Sequence, residues 1–228
     1  MNKMLNIGHR GAKGYEPENT LRSFQKALEL KVDGIEFDVH VCKSGELVVI
    51  HDFTVGRTTN GTGAVSDLTL TELKNLRIDE TLEIPTLEEV LGLFNKDHFI
   101  NIELKGSHTA ELVCDCIAKN VQDQKFEYSN FIVSSFQREE LAHVANYNPL
   151  VPLGILTQAS VEQALEWAEE FSAQAIHPHF SLLTLENVAL THEKGYKIHT
   201  WTVNELDDIQ RVKTFGVEAI ITDFPDRI

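Results

Sequence analysis

The chain has 228 residues, 42% of them hydrophobic, and carries 20 Lys and Arg against 35 Asp and Glu, a formal net charge of −15. This length and apolar share suffice for a sizeable core, so disorder is not expected over most of the chain. The acidic balance argues against a nucleic-acid partner, which needs a basic face, and against stable association with anionic membranes.

The cysteines, Cys42, Cys114 and Cys116, form no C-x-x-C pair. They read as reduced, mostly buried thiols of a cytoplasmic protein, and structural zinc is not expected. No signal peptide is expected, because the first ten residues lack an apolar run, and no segment approaches the length of a membrane span.

Short apolar runs alternate with amphipathic segments, the pattern of a parallel sheet with helical crossovers. Leu5–His9 reads as the first strand and Thr20–Lys31 as its helix, with Leu21, Phe24 and Leu28 on one face and Asn19 as N-cap. Gly34–Val39 is the second strand, and Glu46–His51 a further extended run before the turn signal Asn60-Gly61-Thr62-Gly63. A helix is expected over Thr86–Asn95, opened by a Thr86/Glu89 capping box. Strand three, His98–Leu104, leads to a helix over Ser107–Asn120; strand four, Phe131–Ser134, to one over Glu139–Ala145. Strand five, Val151–Leu156, precedes a helix over Ser160–Glu170 with a Ser160/Gln163 capping box. Strand six is Ala173–His177 with a helix over Leu185–Lys194, strand seven Lys197–Trp201 with a helix over Glu205–Phe215, and strand eight Glu218–Thr222.

Eight strand–helix units predict an α/β protein with a (β/α)8 TIM barrel as one domain over residues 1–228. An irregular stretch from Cys42 to Asn75 (residues 43–75) is then an insertion after strand two, and the last helix is short or missing. Such a gap would leave apolar barrel surface for a partner subunit, so a homo-oligomer is a further expectation. A doubly wound open sheet is the alternative architecture.

Glu36 and Asp38 lie two apart on an apolar strand and therefore share a face. Paired carboxylates in apolar surroundings need a proton, a basic partner or a bound cation. Asn101, Glu103 and Lys105 share a face at the end of strand three, which neighbours strand two in a barrel. Glu36, Asp38 and Glu103 can thus converge on one point, and an all-oxygen set suits one divalent cation, Mg2+ or Ca2+. His9 and His51 also sit at strand ends, beside Arg10, whose planar fork matches phosphate oxygens. Carboxylates, two imidazoles, Arg10 and Lys105 together predict acid–base hydrolysis of an anionic substrate. Trp201 is either barrel-top packing or a pocket wall, and His177 and His179 are further rim candidates. A G-x-S-x-G nucleophile elbow and the Lys-Ser/Thr of a phosphate-binding P-loop are both absent.

With His9-Arg10-Gly11, Pro17-Glu18-Asn19-Thr20, Gly34 to Val39, His51-Asp52, Arg57-Thr58-Thr59, Gly61-Thr62-Gly63, Ile84 to Leu87, Asn101 to Lys105, Thr200 to Asn204 and Thr222 to Asp226, the chain resembles the glycerophosphodiester phosphodiesterase family. The resemblance spans nearly the whole chain, weakening between Gly106 and Gly195. It implies a TIM barrel and metal-dependent hydrolysis of a small-molecule glycerophosphodiester to sn-glycerol 3-phosphate and an alcohol. It further implies Glu36, Asp38 and Glu103 as metal ligands, His9 and His51 as general acid and base, and Arg10 and Lys105 as phosphate contacts. The attacking group is left open between the glycerol 2-hydroxyl, which gives a cyclic phosphate, and water. Two rival expectations are a lysophospholipase D-like enzyme on lipid substrates and a non-catalytic phosphodiester-binding barrel.

Overall fold

The computed structural model describes residues 3–228. Among them, nine strands form one sheet: β1 (Leu5–His9), β2 (Gly34–Val41), β3 (Leu47–Val49), β4 (Phe99–Leu104), β5 (Phe131–Ser135), β6 (Leu153–Thr157), β7 (Ala175–Pro178), β8 (Lys197–Thr200) and β9 (Ala219–Thr222). All but β3 pair in parallel, in the order β1-β9-β8-β7-β6-β5-β4-β2, and the β1–β2 pairing closes the barrel. The helices are α1 (Leu21–Glu29), α2 (Leu70–Asn75), α3 (Leu87–Leu91), α4 (Ala110–Gln122), α5 (Arg138–Tyr147), α6 (Val161–Glu170), α7 (Leu185–Glu193) and α8 (Leu206–Thr214). The expected (β/α)8 TIM barrel is therefore the fold.

Strand alternation builds two layers. Outward-facing Ile35, Phe37 and Val39 of β2 and Ile100, Ile102 and Leu104 of β4 are fully buried in the core that joins barrel to helices. Phe24 of α1 meets Phe37 edge-to-face at 5.7 Å, and burying each such ring contributes about 2–3 kcal/mol. The intervening residues, Glu36 and Asp38, face the barrel axis and are freed for chemistry.

The stretch after strand two is more ordered than its composition suggests. β2 runs beyond the barrel to Val41 and takes up β3 antiparallel, with Val39 opposite Val49 and Val41 opposite Leu47. A separate apolar cluster of Val48, Ile50, Val55, Val65, Leu73, Ile78 and Ile84 lies beneath it. α2 falls inside this stretch, opened by a Thr69/Glu72 capping box that the sequence reading missed. Six residues of helix are too short to show a periodic apolar face.

Other boundaries move for local reasons. Strand five begins at Leu153 rather than Val151 and runs to Thr157; Pro152, with no N–H to donate, stands just before it. The Thr86/Glu89 box forms, but that helix stops at Leu91 with Gly92 as C-cap rather than reaching Asn95. Ser160 accepts from the Gln163 N–H, but the Ser160 N–H donates to Thr157 Oγ1 at 3.2 Å instead of to Gln163, so only half of the expected box forms. α4 begins at Ala110 because the buried Glu140 carboxylate accepts the N–H groups of His108, Thr109 and Ala110.

After β9 the described residues form a single 3-10 turn, Pro225–Arg227. The apolar strip expected there is not bare. Ile220, on the outer face of β9, is completely buried in the main core, and the terminal Ile228 packs against that core. Cys42 and Cys114 are buried as expected, while Cys116 is half-buried. Among the described residues, no helix is long and apolar enough to cross a membrane.

Candidate active site

Strand register assembles the site at the carboxyl ends of the barrel strands. His9 of β1 pairs with Glu36 of β2, and Asp38 of β2 pairs with Glu103 of β4. One carboxylate oxygen from each of Glu36, Asp38 and Glu103 lies within 4.8 Å of the others, and the three residues are 3%, 1% and 8% exposed. Burial, then the charges of Asp38 and Glu103, push the Glu36 carboxyl well above the usual carboxylate range. Burial and the nearby Asp38 charge push Glu103 up to about 7. Burial would also raise Asp38, but Arg10, His51 and Lys105 outweigh it and hold that carboxyl below its ordinary value.

Such a cluster is under-compensated by protein cations alone. Glu36 Oε1 and Asp38 Oδ1 are buried without a hydrogen-bond partner. Two orphaned oxygens aimed into one all-oxygen cluster fit a hard divalent cation, whose charge offsets both burial and mutual repulsion.

Cations and imidazoles surround the cluster. Arg10 has a left-handed backbone (φ 51°), which lets its N–H donate to Glu36 Oε2 at 3.1 Å. The Arg10 side chain donates to Glu18 Oε1 at 2.8 Å, and its Nε lies 3.3 Å from Asp38 Oδ2, close enough for an ion pair though not aligned for a hydrogen bond. Lys105 donates to Glu103 Oε1 at 2.8 Å. His9 Nδ1 is 2.6 Å from Asp223 Oδ1, while its Nε2 lies 3.9 Å from Glu36. His51 Nδ1 is 2.7 Å from Asp52 Oδ1. A carboxylate on Nδ1 fixes that nitrogen as the protonated one and leaves Nε2 to exchange a proton. Burial pulls both imidazoles below the ordinary histidine value.

His9, Arg10, Glu36, His51, Glu103, Lys105 and Trp201 all line one cavity of about 280 Å³. Asp38 sits just beneath it as the most buried of the three carboxylates. Phe136, Leu156 and Ile221 form an apolar wall with Trp201, and Gln158 adds a polar group there. Trp201 serves packing as well, since its Nε1–H donates to the His177 carbonyl at 2.7 Å and its ring meets Phe136 edge-on at 5.6 Å.

Neither of the other rim candidates joins this cavity. The His177 ring turns into the barrel interior, completely buried, over Gly154, where an added Cβ would stand 2.4 Å from His177 Nε2. His179 caps the short turn Phe180–Leu182 through its bond to Ser181.

Several contributors escaped the sequence reading. Asn19 is not the N-cap of α1; Thr20 is, accepting from the Ser23 N–H. Asn19 adopts a left-handed backbone (φ 57°) and donates to Asp38 Oδ2 at 2.9 Å. Asp223 holds His9 and is itself fixed by Asn204 Nδ2 at 2.9 Å. Both lie inside recognised motifs, which was the available signal, but their partners are distant in the chain.

A family model described as the glycerophosphoryl diester phosphodiesterase family matches residues 9–227. A glycerophosphodiester phosphodiesterase of Caldanaerobacter subterraneus subsp. tengcongensis is 39% identical, with 99% of this chain and 96% of the relative covered. One from Bacillus subtilis is 33% identical over 98% of this chain and 85% of its own. Among solved structures, an Oleispira antarctica phosphodiesterase in complex with the product sn-glycerol-3-phosphate superposes with a TM-score of 0.87 at 28% identity, covering 97% of this chain and 94% of that one. A Thermotoga maritima glycerophosphodiester phosphodiesterase gives 0.80 at 27% identity over 99% and 97%. With its barrel closed around this cluster and its sequence matched almost end to end, the chain belongs to the glycerophosphoryl diester phosphodiesterase family.

Proposed function

We propose that the protein hydrolyses glycerophosphodiesters to sn-glycerol 3-phosphate and a free alcohol, with one divalent cation, Mg2+ or Ca2+, held by Glu36, Asp38 and Glu103. The observation that carries this reading is the pair of buried oxygens without a hydrogen-bond donor, Glu36 Oε1 and Asp38 Oδ1, in a carboxylate cluster beside two imidazoles that each bond a carboxylate through Nδ1. A non-catalytic barrel has no need of two such proton carriers. Bound there, the cation supplies positive charge to the phosphate and to the extra negative charge of the transition state.

The chain's own residues do the rest. Arg10 and Lys105 bring guanidinium and ammonium to the phosphate's non-bridging oxygens, their positive forms secured by Asp38, Glu36 and Glu18 for Arg10 and by Glu103 and Asp38 for Lys105. One imidazole takes the proton from the attacking hydroxyl, either the glycerol 2-hydroxyl or water. The other gives its proton to the departing alkoxide oxygen. The P–O bond to the alcohol breaks as the new P–O bond forms, and a cyclic phosphate formed by the glycerol route is opened by water through the reverse proton transfers.

A cavity of about 280 Å³ favours a water-soluble diester over the lysophospholipid of the rival reading. It lies at the small end of ligand sites, so an acyl chain would have to extend beyond it. The decisive experiment is release of glycerol 3-phosphate from a panel of diesters, with EDTA or with added Mg2+ or Ca2+. Glycerophosphocholine should be cleaved and lysophosphatidylcholine not, and chelation should abolish turnover until the ion is restored. Turnover indifferent to EDTA, or preference for the lysolipid, contradicts the proposal.

A further inference from the structure

Arg57 lies outside the cavity lining, yet its guanidinium joins two halves of the site. Nε donates to Asp52 Oδ2 at 2.6 Å and Nη2 to Asp52 Oδ1 at 3.0 Å. Nη2 also donates to Glu18 Oε1 at 2.7 Å, and Nη1 to Glu18 Oε2 at 3.1 Å. Asp52 is the carboxylate on His51 Nδ1, and Glu18 is the carboxylate that holds Arg10. One planar fork therefore restrains both the anchor of an imidazole and the anchor of a phosphate-facing cation.

The insertion after β2 is built to hold this group in place. Val55 is fully buried in the insertion's own apolar cluster. The Thr59 N–H and hydroxyl both donate to the Val55 carbonyl, at 3.1 and 2.8 Å, and the Val55 N–H donates to the Gly63 carbonyl. Arg57 stands in the middle of that clamped turn.

We propose that Arg57 is a positioning residue, and that delivering its guanidinium is a function of the insertion: it sets His51 through Asp52 and Arg10 through Glu18. The inference rests on the roles given above to His51 and Arg10. A purely structural reading treats Arg57 as a surface ion pair. Such pairs contribute little stability, so the two readings separate in turnover rather than in folding.

Glycerophosphocholine hydrolysis by the full chain, with Mg2+ or Ca2+ present, tests the proposal. Arg57→Ala should lower kcat about tenfold or more, as loss of a partner that orients functional groups does, while the urea midpoint stays near wild type. Millimolar guanidinium ion should restore part of the rate, because 48% of the Arg57 side chain is open to solvent. The same ion should do nothing for His51→Ala. Combining Arg57→Ala with Asp52→Asn should cost less than the product of the single losses, because both break one chain of contacts. Arg57→Lys, which keeps the charge but not the double fork, should also lower kcat, and it serves as the test if the alanine variant is poorly folded. Wild-type kcat in Arg57→Lys or Arg57→Ala, or no rescue by guanidinium together with additive losses, overturns the positioning role. A wild-type protein that releases no glycerol 3-phosphate, or a fully active His51→Ala, instead overturns the functional reading on which it rests.

Discussion

Glu103 makes the carboxylate cluster thermodynamically measurable. In the metal-free protein its carboxyl is pushed up to about 7 by burial and by Asp38, against an ordinary value of about 4.3 in the unfolded chain. A raised carboxyl means that the folded state binds the extra proton, so its contribution to stability is present at low pH and disappears as pH climbs through 7. Integrated between about pH 6 and pH 8, this one group removes about 1 kcal/mol of stability in EDTA. A divalent cation at Glu36, Asp38 and Glu103 displaces that proton and should cancel the loss, adding about 3 kcal/mol at an ion concentration near 100 Kd. Glu103→Gln, which mimics the protonated carboxyl, should remove the Glu103 share of the loss without metal, leaving that of the likewise raised Glu36, and should weaken the ion's stabilising effect. Urea unfolding of wild type and variant at the two pH values, with EDTA and with excess Mg2+ or Ca2+, measures all these terms. An unchanged pH dependence in Glu103→Gln, or no stabilisation of wild type by either ion, would refute the reasoning.

His9→Ala and His51→Ala should each lower kcat about 100-fold or more in the glycerol 3-phosphate assay, the usual contribution of a positioned acid or base; near-normal turnover in both removes them from the reaction. Trp201→Ala should raise KM about tenfold and change kcat less, since the ring walls the cavity without offering a proton; an equal loss in kcat alone would make it part of the chemistry. His199, buried in the barrel with its ring tilted against that of His177 at 4.8 Å, is pulled down to about 3 by burial. It is a base with a depressed folded value, so the unfolded state takes the proton first and stability falls as pH drops below about 6.5, by about 2 kcal/mol at pH 5. Urea midpoints of wild type and His199→Asn at pH 7 and 5 should show the variant losing correspondingly less.

Much of the site could be read from local pattern. Glu36 and Asp38 share a face because strand side chains alternate, a property fixed by backbone geometry at two-residue spacing. The strand–helix rhythm dictates a parallel sheet, and parallel strands place their carboxyl ends together, so Glu103 and Lys105 had to arrive beside the first pair. His9 and Arg10 sit at the end of β1 for the same reason, whereas His51 follows β3, which runs back antiparallel along β2. His177 shows the limit: it faces the barrel interior as Glu36 and Asp38 do, but its ring is completely buried over Gly154 and does not reach the cavity.

What remained hidden depends on closure and on turns. His9 and Asp223 are 214 residues apart and meet only because β1 pairs with β9. Asn19 stands next to a helix start, where its residue type satisfies the N-cap pattern; only the three-dimensional path of the chain turns it to Asp38 and leaves capping to Thr20. Arg57 joins Glu18 across 39 positions and Asp52 across five, through a turn whose shape comes from Val55, Thr59 and Gly63. Periodicity and spacing report which way neighbouring side chains point, because those directions follow from the local backbone. Which distant groups face one another follows from how the barrel shuts and how its insertion folds back, and these are decided by packing over the whole chain.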